Sequence, residues 1–139
     1  MSDTLKALAA RIADCNDTWI QPGVLCTRDH CRRPSHPVRV VRGVTVHFDP
    51  GRNGKRWVET DDNGQYKPCE DLRPDLNDPA TIGVLLFMMP EANLVWQEQM
   101  QEWTVETPLT KTGPFHLFAA KNKAAAIARA WLAAHEVAK

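Results

Sequence analysis

No apolar run in this chain is long enough to matter to a membrane: the longest is about eight residues, against the roughly 20 that a spanning helix needs. Net charge is absent too, since 17 Lys and Arg balance 17 Asp and Glu. The sequence has no Gly-rich phosphate loop, no dinucleotide fingerprint and no metalloprotease helix. It also lacks internal repeats, low-complexity tracts and domain linkers. These absences exclude a helical membrane span, a solenoid and the common nucleotide-binding classes. With 139 residues of ordinary globular composition, what remains is one domain, residues 1–139, with a core of its own. Its first fifteen residues carry acidic side chains in a helical pattern where a secretory signal would have a basic start and an apolar stretch, so the expected location is the cytoplasm.

What is present reads as alternating helices and strands. Leu5, Leu8, Ala9 and Ile12 share one face of a first helix. A long irregular connection follows from Cys15 to Pro37, with Trp19 and Ile20 pinning its start to the core. Val38, Val40, Val44, Val46 and Phe48 alternate with Arg39, Val41, Thr45 and His47 at the two-residue period of a strand, interrupted at Arg42-Gly43 by a bulge or tight turn. Asp49-Pro50-Gly51 and Asn53-Gly54 turn this strand back into Arg56-Trp57-Val58-Glu59. Residues 94–107 fit either a helix or strands, and two short strands with a polar crossing at Gln97 to Gln101 are favoured. A strand from Phe115 to Phe118 precedes a last helix capped by Asn122, with Ile127, Ala130, Trp131, Ala134 and Val137 on its buried stripe.

Between these lies DLRPDLNDPATIGVLLFMMPEA, residues 71–92. Asp78 is a good N-cap, and Pro79 stands at the first helical position, where a missing N–H costs nothing. Ile82 to Met89 is apolar almost throughout. The expected result is a helix buried on all sides, running through the middle of the domain until Pro90 stops it.

The same segment carries a resemblance. Asp75-Leu76, Asp78-Pro79-Ala80-Thr81, Gly83, Leu85-Leu86 and Glu91-Ala92, followed by Trp96, Trp103-Thr104-Val105 and the Ala-rich stretch from Ala124 to Ala138, resemble small accessory proteins encoded by bacteriophages and prophages. The pattern spans about half the chain and consists mostly of capping and core residues, and no catalytic residue comes with it. The resemblance implies an N-terminal helix, a strand region, the central helix, a Trp-containing strand pair and a C-terminal helix. It also implies a phage or prophage genomic context and leaves the function open; by analogy with such proteins, action on host machinery in a host cytoplasm is expected.

Zero net charge conceals a segregation along the chain. Between Thr27 and Val58 eight basic residues (Arg28, Arg32, Arg33, Arg39, Arg42, Arg52, Lys55, Arg56) face two acidic ones, while from Glu59 to Glu106 eleven acidic residues face Lys67 and Arg73. Such polarity suits a partner with its own charge pattern, or a self-complementary dimer. Mutual neutralisation of the two segments explains it equally well. The eight basic residues, with Trp57 as a stacking side chain and His47 beside them, form the candidate binding set for an acidic protein surface or for nucleic acid. Lys121 and Lys123, at the start of the last helix, oppose its dipole and hint mildly at an anion.

Cys26, His30, Cys31 and His36 fall within eleven residues, with Cys15 and Cys69 on either side. Packed or exposed thiols, a structural zinc and a disulfide all remain open. The candidate zinc ligands are Cys26, Cys31 and His36 with Cys15 or Cys69 as the fourth, although their spacing contains no paired knuckle. A catalytic thiol drawn from Cys26 or Cys31 with a neighbouring His has no oxyanion site beside it, and Asp61-Asp62 reads as part of a solvated turn.

These readings converge on an α+β domain: one small antiparallel sheet of four or five strands packed with three helices, and an irregular Cys/His-rich loop at its edge. The expected function is that of a non-enzymatic, phage-type accessory protein that binds a host protein complex, such as an anti-CRISPR-like inhibitor of host defence, with no obligatory cofactor. The alternative is a nucleic-acid-binding accessory protein with a structural zinc loop.

Overall fold

The computed structural model describes residues 3–15, 17–27, 38–41, 45–49, 55–59, 66–68, 72–110 and 112–136. Helix α1 (Asp3–Cys15) buries Leu5, Leu8, Ala9 and Ile12, the stripe that its spacing sets. A single 3-10 turn (Asp17–Trp19) then drives Trp19 and Ile20 into the core, as expected. Pro22 and Gly23 make the next reversal. The Val24 N–H donates to the Gln21 carbonyl at 3.1 Å, and Gly23 takes φ of +99°, a conformation that an L side chain rarely adopts.

Among the described residues three antiparallel sheets follow, each of three strands. The first combines β1 (Leu25–Thr27), β2 (Val38–Arg39) and β6 (Arg73–Pro74) in the order β2-β1-β6, with Leu25 opposite Arg39 and Cys26 opposite both Val38 and Pro74. Pro74, which cannot donate to a ladder, sits on an edge strand. The second is a meander of β3 (Thr45–Asp49), β4 (Lys55–Glu59) and β5 (Tyr66–Pro68), whose first pairing shifts register between Thr45 and Asp49. The third, β7 (Asn93–Gln97), β8 (Glu102–Pro108) and β9 (Phe115–Ala120), is the longest and most regular.

The class is α+β, with three α-helices among the described residues, but those residues do not form the single sheet of four or five strands. The strand expected from Val38 to Phe48 is divided: Val38–Arg39 pairs with β1, while Thr45–Asp49 starts a different sheet. Arg42-Gly43, the expected interruption, and the Cys/His-rich stretch 28–37 lie outside the described residues. Residues 94–107 are strands, joined by a tight turn in which Gln101 takes φ of 52° and its side-chain amide donates to the Glu98 carbonyl at 2.7 Å.

Helix α2 (Pro79–Phe87) has the expected cap and first-position proline, and helix α3 (Lys123–Glu136) has its expected Asn122 cap, whose Oδ1 accepts from the Ala125 N–H at 3.2 Å. The centre of the molecule belongs to α3, which packs against α1, α2, β8 and β9. Ala124 to Ala128, Ala130, Trp131 and Leu132 are all buried. Of the expected stripe, Ile127, Ala130 and Trp131 are in the core and Ala134 is half-buried, while Val137 lies outside the described residues. The expectation that α2 would be buried on all sides is overturned: within the helix only Thr81, Ile82 and Leu85 are buried, and Gly83 and Phe87 face outward.

Candidate functional site

Helix α2 is held at its N-terminus by a compact polar knot. The Asp78 carboxylate accepts from the Thr81 N–H at 2.9 Å and from the Thr81 hydroxyl at 2.8 Å. It also takes a two-pronged contact from Arg39, Nη1 to Oδ2 at 3.1 Å and Nη2 to Oδ1 at 3.2 Å. The Arg39 Nη1 further donates to the Gly23 carbonyl at 2.7 Å, and the Thr81 hydroxyl oxygen accepts from the Leu25 N–H at 2.9 Å. Cap, turn and two strands are thereby joined at one point. Burial alone would raise the Asp78 carboxyl, but the hydrogen bonds from Arg39 and Thr81 and the nearby guanidinium charge outweigh it and hold the group below its ordinary value. With its oxygens taken up by these contacts, Asp78 positions the helix; it is not placed as a catalytic base.

This arrangement bears on the basic set read from the sequence. Arg39 shares its guanidinium between Asp78 and Gly23, so part of its hydrogen-bonding capacity serves the fold. Lys55, Arg56 and Trp57 stand on β4, while Arg28, Arg32, Arg33, Arg42 and Arg52 lie outside the described residues. The candidate metal ligands divide similarly. Cys26 is buried on β1 and Cys15 half-buried at the end of α1, neither in a disulfide, and Cys31, His36 and Cys69 lie outside the described residues. Among the described residues no three His, Cys, Asp or Glu side chains converge as a metal site.

Beyond the knot, what α2 presents to solvent is apolar. Phe87 is 85% exposed at the last turn of α2. Val84, Leu86 and Met88 are half-buried around it, and Gly83 and Pro90 are exposed. These residues line an open depression of about 1050 Å³ that extends to Gln21 and Pro22. Around the corner, Met88, Met89 and Pro90 also border a depression of about 460 Å³, closed on its far side by Thr107, Leu109 and His135. The His135 ring is stacked on Trp131 with centroids 3.7 Å apart, and its Nδ1 lies 2.8 Å from the Trp131 carbonyl oxygen. A carbonyl only accepts, so this nitrogen carries the proton.

A second exposed feature lies at the β7–β8 turn. Trp96 is partly exposed and tilted against Trp103, with centroids 5.3 Å apart, and its indole N–H donates to Glu98 at 2.8 Å. Lys123 places its ammonium 5.5 Å from the Trp103 ring centre, so this cation already has an aromatic partner.

Sequence reasoning missed the α2 surface as a site, although its signal was visible. A helix with large apolar residues on every side must either be surrounded or show one side, and the apolar run by itself does not tell the two apart. Comparisons of the chain with protein-family models, with curated proteins and with solved structures found no match.

Proposed function

We propose that this protein is a non-catalytic binding module that docks a protein partner on the outward face of α2, with Phe87 as the anchor. The observation that carries the reading is the exposure of Phe87 on a rigidly tethered helix. An aromatic side chain held clear of the surface, ringed by half-buried Val84, Leu86 and Met88, has the form of an interface hot spot, and methionines adapt to the shape of what they meet. The resemblance to phage and prophage accessory proteins adds the context. In this reading the partner is a host macromolecular complex in the host cytoplasm, and the effect of binding is inhibition or modulation of that complex, as for an anti-CRISPR-like inhibitor of host defence. The step from context to activity is analogy.

Affinity capture from host lysate with nuclease treatment, using the wild-type chain beside Phe87→Asp, tests the reading. The wild-type protein should retain a nuclease-resistant protein partner that Phe87→Asp loses while its melting temperature stays unchanged. Retention by Phe87→Asp together with loss on reversing Arg32, Arg33, Lys55 and Arg56 would return the site to the basic segment and favour the nucleic-acid alternative.

A further inference from the structure

Among the described residues strand β9 is an edge of its sheet, and like β7, the other edge, it holds no Asp, Glu, Lys or Arg within its bounds, Phe115–Ala120. Its outward groups can be identified. Arg129 donates to the Ala119 carbonyl at 2.9 Å, so that carbonyl points away from β8. Because ladder bonds alternate along an antiparallel pair, the N–H and C=O groups of Leu117 and Phe115 point off the same free edge. The side chains of these two residues lie on the sheet face opposite the one that Val105, Phe118 and Ala120 turn toward the core, and they are 66% and 53% exposed. Unpaired edge amides and exposed apolar side chains thus belong to the same residues, the combination that invites another strand.

We propose that β9 pairs antiparallel with β9 of a second copy of this chain, about a two-fold axis through Leu117. Three features favour a second copy over an unrelated strand. The outward-pointing residues are spaced symmetrically about Leu117, so Leu117 meets Leu117 and Phe115 meets Ala119 of the other copy, a large ring over a small side chain. The exposed faces of the two sheets then join into one. The charges agree as well: Lys121 falls opposite Gly113 of the other copy, with no like charge facing it. The Ala119 carbonyl has a second lone pair, so Arg129 can keep its bond when the strands join.

Six residues of edge form a small interface, and the pairing is therefore weak, on the order of tens of micromolar. Sedimentation velocity of the full chain should show a reversible monomer–dimer equilibrium in that range. Leu117→Lys, an exposed position that leaves the core intact, should weaken it by at least about tenfold through paired like charges on the axis. Register is tested by cross-linking. Residues directly opposite in a hydrogen-bonded pair have Cα atoms about 5.5 Å apart, within disulfide range. Leu117→Cys should form an oxidised dimer beyond any seen for wild type under the same conditions, while Phe115→Cys alone should not. A chain that stays monomeric to about ten times that concentration overturns the proposal. So does a dimer indifferent to Leu117→Lys, or equal cross-linking at positions 115 and 117. Phe87→Asp should leave the dimer unchanged, which separates this inference from the docking role of α2.

Discussion

Helices α2 and α3 are both strongly apolar, yet one is enclosed and the other shows a face to solvent. In α3 the residues from Ala124 to Ala128 are all buried, and small side chains let α1, α2, β8 and β9 approach from several directions. Helix α2 has large side chains and only nine residues, about 13 Å of length. It is fixed at its N-terminus, through Asp78, Arg39 and Thr81, and gripped on one side only, through Ile82 and Leu85. Apolar content alone therefore does not locate the core. Side-chain size and the point of attachment decide which apolar helix becomes the centre and which becomes a surface.

The sharpest way to break this contrast is to empty the centre. Trp131→Ala on α3 should cost about 3 to 5 kcal/mol, since the side chain is fully buried and leaves a large cavity. Chemical denaturation reads this directly, and a loss below about 1 kcal/mol would mean that α3 is not the organising helix. On α2 the inward Leu85 is equally enclosed, so Leu85→Ala should cost about 2 to 5 kcal/mol, in line with a fully buried leucine. A small effect here would show that α2 is attached by its polar knot alone.

The parts of the fold that sequence made legible are those set by local chemistry. The Asp78 cap, Pro79 at the helix start, the stripe of α1 and the Asn122 cap each depend on a few neighbouring residues, and each is present. What was not legible depends on distant neighbours. Val38–Arg39 and Thr45–Asp49 read as one strand by period, but their separation into two sheets turns on pairing with Leu25–Thr27 and with Lys55–Glu59. The contact of Arg39 with Asp78 crosses 39 positions of sequence, so nothing local distinguished this arginine from the other basic residues around it. The exposure of Phe87 was hidden for the converse reason: its composition was plain, and only the absence of a covering element among the described residues leaves it exposed.

The knot itself gives the next largest effect. Asp78→Asn keeps much of the cap but removes the carboxylate that pairs with Arg39, so it should destabilise the protein by about 1 to 3 kcal/mol near neutral pH. The sign with pH follows from the lowered folded-state value of Asp78. Its contribution is fully present above the unfolded value of about 3.9 and is lost as pH falls through the folded value below it. Wild type and Asp78→Asn should therefore converge in stability as the pH is lowered under about 4 and stay apart from there to neutrality. Parallel curves across that range would show that the ion pair adds nothing beyond the cap.

The smallest expected stability change lies at the most exposed residue. Phe87→Ala removes a large ring from a side chain that is 85% exposed, so folding stability should move by less than about 0.5 kcal/mol. If α2 instead stabilises the fold through this face, the loss would approach that of Leu85→Ala, and the two sides of the helix would be energetically alike. The contrast is sharpest when stability and binding are measured on the same pair of variants. Leu85→Ala should lower the melting temperature while partner capture survives in the remaining folded protein. Phe87→Ala should leave melting unchanged and weaken capture by more than about tenfold, the loss typical of a hot-spot aromatic. Equal effects of the two variants on capture would mean that binding follows the folded fraction alone, and that the outward face of α2 is exposed apolar surface with no partner.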